Sequence, residues 1–308
     1  MEMKNKINQR KIVGAVCFLL AGFLLWTVVA GHSPRPLFVD SSDKNLIVAF
    51  LSIGQGDAIY IQSPSGHNVM FDGGPDSGVL RRLGEVMPFY QRTIDTLVVT
   101  NPDKDHMAGF IDILKAYKVG RIIEPGTHSP SATYAELERA IVASSIKNGT
   151  KKIIAQAGMV LDLGAGARID FIFPDQDVSS WTTNDGSIVA RLVYASTSVM
   201  LMGDAPKKTE DYLVEKAKKN PEAIILESDI LKVGHHGSKT SSTEKFVMAV
   251  NPMYAIISAG LKNSYGHPHP STIATLKKFL VKILVTFEKG TIIFKSDGQK
   301  WLAPEFIP

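Results

Sequence analysis

Cysteine is almost missing from this 308-residue chain, which has only Cys17. That excludes an intrachain disulfide framework and any metal site built on thiolates. Histidine is scarce as well, with eight in the chain, so a metal would have to be held by few imidazoles together with Asp, Glu or Asn. Neither sign of charge dominates. With 34 Lys and Arg against 30 Asp and Glu the net charge is +4, compatible with an anionic substrate but no evidence for one. Low-complexity tracts and solenoid-length repeats are absent. Apolar residues make up 44% and charged residues 21%, a globular composition with room for one large or two ordinary domains.

Long apolar runs are absent too, with one exception. Ile12 to Ala30 spans nineteen residues without a charge, and Lys4, Lys6, Arg10 and Lys11 precede it. That length crosses a bilayer as a helix, and the basic start predicts a cytoplasmic N-terminus. The expected layout is a basic start and membrane anchor over 1–31, a polar proline-bearing linker over 32–45, and a folded domain over 46–308. The localisation that follows is the cell membrane, single-pass, with the domain outside the cytoplasm. A signal peptide cleaved near Ala30, giving a secreted protein, is the alternative, although the run exceeds the roughly 7–15 residues of a signal core.

Beyond the linker, short strands alternate with helices. The pattern predicts strands at Leu46–Leu51, Ala58–Gln62, Asn68–Phe71, Thr96–Thr100 and Arg121–Glu124, and helices at Gly78–Met87, His106–Tyr117 and Ala132–Ser145. The second half repeats the theme. Strands are expected at Met159–Leu161, Arg168–Phe173, Ser187–Tyr194, Ser198–Met202, Ile230–Val233, Met253–Ser258, Ile283–Thr286 and Thr291–Lys295. Helices are expected at Lys207–Lys218, Thr243–Val250 and Ser271–Leu280. Such a succession suggests two sheets packed face to face with helices outside.

Acids and imidazoles collect just past predicted strand ends. Asp103, Asp105 and His106 follow one strand in "TNPDKDHMAG", Asp204 follows another in "LMGDAP", and His235 and His236 follow a third in "LKVGHHGS". His267 and His269 lie in the loop "NSYGHPHP". Each loop alone has an ordinary explanation. Asp103 or Asp105 suits a helix N-cap, Gly-Asp suits a turn, and a loop imidazole can pack. Four such loops in a chain this poor in histidine argue against coincidence. Hard carboxylates with neutral imidazoles suit Zn²⁺, Mn²⁺ or Fe, and two carboxylate-bridged ions would activate water as a nucleophile. His32 and His67 read as solvated, and His269 as a surface loop residue. Lys207, Lys208 and Lys239 are candidates to touch a phosphate backbone, against the plainer reading of solvated charged faces.

The order Asp-Gly-Gly, x-x-Asp-x-Asp-His, Gly-Asp and then His resembles the metallo-β-lactamase-fold hydrolases. More narrowly, "FLSIGQGDAIYIQSPSGHNVMFDGG", "TNPDKDHMAGF", "NDGSIVARL", "LMGDA", "ILKVGHHGSKTSS" and "NSYGHPHPS" resemble the soluble hydrolase domain of ComEC-type competence (DNA-uptake) proteins, from about Leu46 to Lys300. The resemblance implies an α/β fold, a four-layer αβ/βα sandwich with one or two divalent ions, Zn or Mn, at one rim of the sheets. It also implies roles. Asp103, Asp105 and His106 would bind metal and act in catalysis, Asp204 would bridge, and His235, less so His236, together with His267 would be the downstream ligands. Asp72 and Asp57 would support these loops without binding metal, and Asn184 and Ser187 lie in a stretch that would face the site, their role open.

Two departures thin one metal position. The signature's first histidine is Asn101, an amide and a poor ligand for a divalent transition metal. Between His106 and Asp204 the only histidine is His128, in the loop "GTHSPS". The position fed by Asp105, His106, Asp204 and a downstream histidine is complete. The function expected is a membrane-anchored metal-dependent hydrolase of phosphodiester bonds in nucleic acid, in a competence-related role. The alternatives are a degenerate domain binding DNA or a surface partner, and a small-molecule esterase or lactonase.

Overall fold

The computed structural model describes residues 44–308. The expected anchor falls at residues outside that range, and among the described residues no helix is long and apolar enough to cross a membrane.

The first strand, β1 (Leu46–Phe50), reads LIVAF and is buried at every position, as a strand covered on both faces must be. Its alternation divides those residues between two cores. Leu46, Val48 and Phe50 join one apolar cluster, and Ile47 and Ala49 join another. β1 pairs antiparallel with β2 (Ala58–Gln62), which pairs antiparallel with β3 (Asn68–Gly73). Helix α1 (Gly78–Val86) then leads to β4 (Thr93–Val98), helix α2 (Lys104–Ala116) to β5 (Lys118–Glu124), and helix α3 (Ala132–Asn148) to β6 (Lys151–Ile154). These crossovers make β3 to β6 parallel. The closing strands β14 (Thr291–Ser296) and β15 (Glu305–Ile307) extend the other edge, giving an eight-stranded sheet ordered β15-β14-β1-β2-β3-β4-β5-β6.

The second sheet repeats this mixture. Strands β7 (Val160–Asp162), β8 (Ala167–Phe173), β9 (Val189–Tyr194) and β10 (Thr197–Leu201) form an antiparallel meander. Helix α4 (Lys207–Lys219) leads to β11 (Ile230–Lys232), helix α5 (Glu244–Val250) to β12 (Tyr254–Ile257), and helix α6 (Pro270–Lys278) to β13 (Lys282–Val285), all parallel to β10. A short helix, α7 (Thr286–Lys289), links to β14.

Burial gives four layers. Phe50, Phe71 and Val98 of the first sheet meet Phe171, Leu192 and Leu201 of the second in the central core. On the outer face of the first sheet, Leu97 and Met70 pack with Phe110 and Leu137 from the helices, and on that of the second Met200 and Leu231 pack with Leu213 and Phe246. The result is the helix–sheet–sheet–helix sandwich expected from the alternation of elements.

Differences from the predicted elements are local. The fourth strand ends at Val98 instead of Thr100, and α2 begins at Lys104, before the predicted His106, with Asp103 at its N-cap. Strands β6 and β15 were not predicted. β6 is largely exposed, so its pattern carries no core-facing alternation, and β15 is three residues long.

Candidate metal centre

Most candidate ligands lie at or just beyond the carboxyl end of a strand in the parallel part of a sheet, whereas His267 lies farther along the loop after β12. Asp72 sits within β3, Asn101 to His106 follow β4, Asp204 follows β10, and His235 and His236 follow β11. Asp57, just before β2, is brought in by the GQGD turn. Its backbone N–H donates to the Asp105 carbonyl at 3.1 Å. Gly56 makes that approach possible. It has φ +134°, and a Cβ there would lie 2.3 Å from the Asp105 carbonyl oxygen. Beyond β11, His235 and His236 both take left-handed conformations (φ 50° and 54°), as does Asp72 (φ 57°). Such conformations cost about 1–3 kcal/mol each and persist where surrounding structure enforces them, typically at functional sites.

His106 is fully buried at the start of α2. Its Nδ1 lies 2.9 Å from Asp72 Oδ2, and Asp72 also accepts from the Thr100 N–H at 2.7 Å and the Thr100 hydroxyl at 2.6 Å. With Nδ1–H donated to that carboxylate, His106 Nε2 points at Asp204 Oδ1, 3.1 Å away. His236 is built the same way. Its Nδ1 donates to the Ser258 carbonyl at 3.0 Å, and its Nε2 lies 3.2 Å from Asp105 Oδ2 and 3.6 Å from Asp204 Oδ1. An imidazole held by a partner on one nitrogen presents the other as a ligand.

The facing atoms pass a test of fit for a cation. His106 Nε2 and His236 Nε2, 3.1 Å and 3.6 Å from Asp204 Oδ1, are buried with that oxygen out of good hydrogen-bond geometry. Only a proton or cation held within the cluster satisfies them, although buried polar atoms are almost always well paired. Two sets of donor atoms lie within 4.8 Å of one another, Asp105 with His106 and His236, and Asp57 with His106 and Asp204. Two imidazole nitrogens and two carboxylates suit a divalent transition ion. In the second set Asp57 is engaged at one oxygen only. Its Oδ2 is 2.7 Å from the buried Lys232 ammonium, while its Oδ1, 3.4 Å from His236 Nδ1, is buried without a hydrogen-bond partner.

The electrostatics agree. Burial opposes ionisation of Asp204, but the charges of His106 and His236 outweigh it and hold the carboxyl far below its usual range. For Asp57, burial is likewise outweighed, chiefly by Lys232. Burial would lower the His236 pKa, yet Asp204 and Asp57 push it up to about 10. His106 is raised in the same way by Asp204 and Asp72. The imidazoles thus compensate the carboxylates by holding protons, which a divalent ion at the same atoms would displace.

The remaining predicted residues are placed differently. Asn101 is fully buried, but its amide is used at both ends, with Nδ2 donating to Asn184 Oδ1 at 2.6 Å and Oδ1 accepting from the Asp103 N–H at 3.0 Å. Asp103 occupies the N-cap position of α2 without a side-chain capping bond, and its Oδ2 accepts from Thr183 Oγ1 at 3.0 Å. Ser187 is buried and donates to the Thr183 carbonyl at 3.5 Å. His235 lies on the other side of Asp204, with Nε2 3.7 Å from Oδ2 and Nδ1 3.0 Å from Thr240 Oγ1. The two oxygens of Asp204 therefore face different imidazoles. His267 packs at the edge, with ring centroids 6.3 Å from His236 and 5.6 Å from His235. Burial and the neighbouring imidazolium charges lower its pKa to about 4. His236, which the motif order ranked below His235, is the histidine inside the buried cluster.

Lys232, Thr183 and Ser258 escaped the sequence reading. Lys232 alone left a signal, as a lysine within the otherwise apolar strand "ILKV". The other two act through contacts with no local trace.

Residues 51–260 match the family described as "Metallo-beta-lactamase superfamily". The chain is 26% identical over 318 aligned residues to ComE operon protein 3 of Bacillus subtilis, an alignment covering 96% of this chain and 37% of that protein. It is 28% identical to Competence protein ComA of Neisseria gonorrhoeae, covering 90% of this chain and 34% of that protein. It thus spans little more than a third of the length of these relatives. Among solved structures, the diiron β-hydroxylase CmlA from Streptomyces venezuelae shares the fold, with a TM-score of 0.51 at 13% identity over 77% of this chain and 52% of CmlA.

Proposed function

Since the chain belongs to the metallo-beta-lactamase superfamily, we propose that it is a metal-dependent hydrolase that cleaves phosphodiester bonds of nucleic acid in a competence-related role. The kinship to a protein named for competence supports the substrate class. The observation that carries the reaction class is the set of orphaned, buried, mutually facing atoms His106 Nε2, His236 Nε2 and Asp204 Oδ1.

On this reading Asp105, His106, Asp204 and His236 hold the principal ion. A divalent ion bound there supplies Lewis acidity and brings the pKa of water toward neutrality. Asp72 and the Ser258 carbonyl fix the two rings, so that both Nε2 lone pairs face the ion without reorganisation. Asp103, anchored at Oδ2 by Thr183, offers Oδ1 to take the proton of the attacking water. The new bond joins water oxygen to phosphorus, and the bond from phosphorus to the leaving sugar oxygen breaks. His235, at the edge of the cluster, would protonate that oxygen, and His267, kept neutral by its lowered pKa, would at most donate a hydrogen bond to it. The engagement of Asn101 by Asn184 favours one well-held ion over a matched pair.

The same proposal keeps residues 12–30 as a membrane anchor presenting the domain outside the cytoplasm. Elemental analysis of the purified full-length chain, with hydrolysis of a small phosphodiester in Mn²⁺ or Zn²⁺, tests the reaction class. About one tightly bound ion and metal-dependent turnover are expected. No bound ion and no rescue by either metal would leave the reading of a degenerate binding domain. Turnover of lactones in place of diesters would assign the small-molecule alternative.

A further inference from the structure

One cavity shares a chain segment with the metal centre. It encloses about 410 Å³, within the range of small-ligand sites. Phe173 forms its buried floor, and Trp181 and Tyr212 stand beside it, with ring centroids 6.1 Å and 6.2 Å from Phe173. Asp175 accepts the Tyr212 hydroxyl at 2.5 Å and also pairs with Lys216, which fixes the Tyr212 ring. At the rim the Lys208 ammonium lies 5.9 Å over the Trp181 ring and 2.5 Å from Asp185.

The segment from Trp181 to Asp185 serves both places in turn. Trp181 and Thr182 line the cavity, as does Asp185. The two residues between face the metal centre, where Thr183 donates to Asp103 and Asn184 accepts from Asn101. Residues that line the cavity are therefore immediate chain neighbours of residues that touch the site's carboxylate and amide. The cavity's chemistry is a set of aromatic rings, with Trp181 and Tyr212 inclined at 39° and 66° to Phe173, polar edges from Gln176 and Thr182, and the Lys208–Asp185 ion pair at the mouth. That combination fits a planar heterocycle joined to a phosphate, since base–aromatic stacking accepts any base and the exposed Lys208 ammonium can exchange Asp185 for the phosphate.

We propose that this cavity is a nucleobase subsite. It takes one unpaired base of a single-stranded substrate, stacked on Trp181, while Lys208 meets the adjoining phosphate and leads the strand toward the metal centre. A base stacked within a duplex could not enter, so the subsite selects single strands or ends. This deepens the phosphodiesterase reading, on which it rests for the substrate class.

The test measures anisotropy of a labelled oligothymidine bound to the full-length chain in EDTA, so that nothing is cleaved, against an abasic strand of equal length. The unchanged chain should bind the base-bearing strand about tenfold more tightly, a typical effect of one stacked base. Trp181→Ala should erase that difference and leave the abasic strand unaffected, while Trp181→Phe, which keeps an aromatic face, should retain most of it. Equal affinity of the unchanged chain for both strands would overturn the subsite, as would equal losses on both strands in Trp181→Ala. Should Trp181→Ala fail to fold, the two-strand comparison on the unchanged chain and on Trp181→Phe still decides. Hydrolysis of a small diester by the unchanged chain reports on the phosphodiesterase reading separately. Turnover without base-dependent binding would sink the subsite alone, and base-dependent binding without turnover would sink the reaction alone.

Discussion

The two flanks of the site satisfy their buried polar atoms in opposite ways. On one, His106 Nε2, His236 Nε2 and Asp204 Oδ1 face each other out of good hydrogen-bond geometry, with Asp105 Oδ2 3.2 Å from His236 Nε2. On the other, Asn101, Asn184, Asp103 and Thr183 close a hydrogen-bonded chain in which both ends of the Asn101 amide are used. Both flanks grow from the same strand-end loop, and residues 101 and 106 are equally inaccessible to solvent. What separates them is the charge available. An imidazole and carboxylate set needs a proton or a cation to balance it. The Asn101–Asn184 amide pair is complete when neutral, and Asp103, the one carboxylate on that flank, is only partly buried and accepts the Thr183 hydroxyl. Burial alone therefore does not mark a metal position. Unpartnered atoms of complementary chemistry do.

That contrast can be broken most directly at Asp204. Asp204→Ala removes the carboxylate common to both sides of the cluster, and metal affinity should fall by more than about a hundredfold, beyond the usual cost of losing an outer partner. If titration with Mn²⁺ showed an unchanged affinity, the ion-binding flank would be misassigned. Asp72→Asn keeps the shape but weakens the acceptor of His106, and a loss of roughly 10–100-fold in metal affinity is expected by the same titration.

The charge argument makes a pH prediction. His236 holds its proton up to about 10 because Asp204 and Asp57 are ionised beside it, so an ion must displace that proton to bind. Metal affinity should therefore rise with pH between 6 and 9, by up to about tenfold per unit for each proton released. Calorimetry in buffers of different ionisation enthalpy would count the protons, and pH-independent binding with none released would refute the charge argument.

Asn101 should behave in the opposite sense. Asn101→Ala leaves the Asp103 N–H and the Asn184 amide unpaired, which should cost about 1–3 kcal/mol of stability and change metal affinity little. Thermal unfolding and metal titration on one preparation separate these effects. The smallest change is expected from Asn101→His, with bound metal unchanged because the position serves protein partners. A gain in metal stoichiometry would instead show that the amide flank is a thinned ion position.

Much of this was legible in the chain. Alternating strands and helices implied two sheets with helices outside, because both cores of the first sheet are written into the period of segments such as LIVAF. Strand-end placement of Asp103 to His106, Asp204 and the His235–His236 pair was equally readable, since it depends only on where an apolar run stops. Lys232 could have been flagged as a charge inside an apolar strand, but its partner Asp57 is 175 residues away. The exposed strand β6 and the short β15 lack the periodicity that announces a strand.

By itself, the sequence determined which side chains could ligate an ion, that none of them is a thiolate, and that they lie at strand ends, because composition and local period are properties of short stretches. Only the tertiary structure decided what each one does. Both His235 and His236 are left-handed, but His236 and not its neighbour entered the buried cluster, where the Ser258 carbonyl holds its ring. Asn101 became a bracket because Asn184, 83 residues on, meets its amide. Two adjacent residues with the same chemistry part company once the backbone turns between them. The partners that hold His236 and Asn101 come from elsewhere in the chain, 22 residues on for His236 and 83 for Asn101.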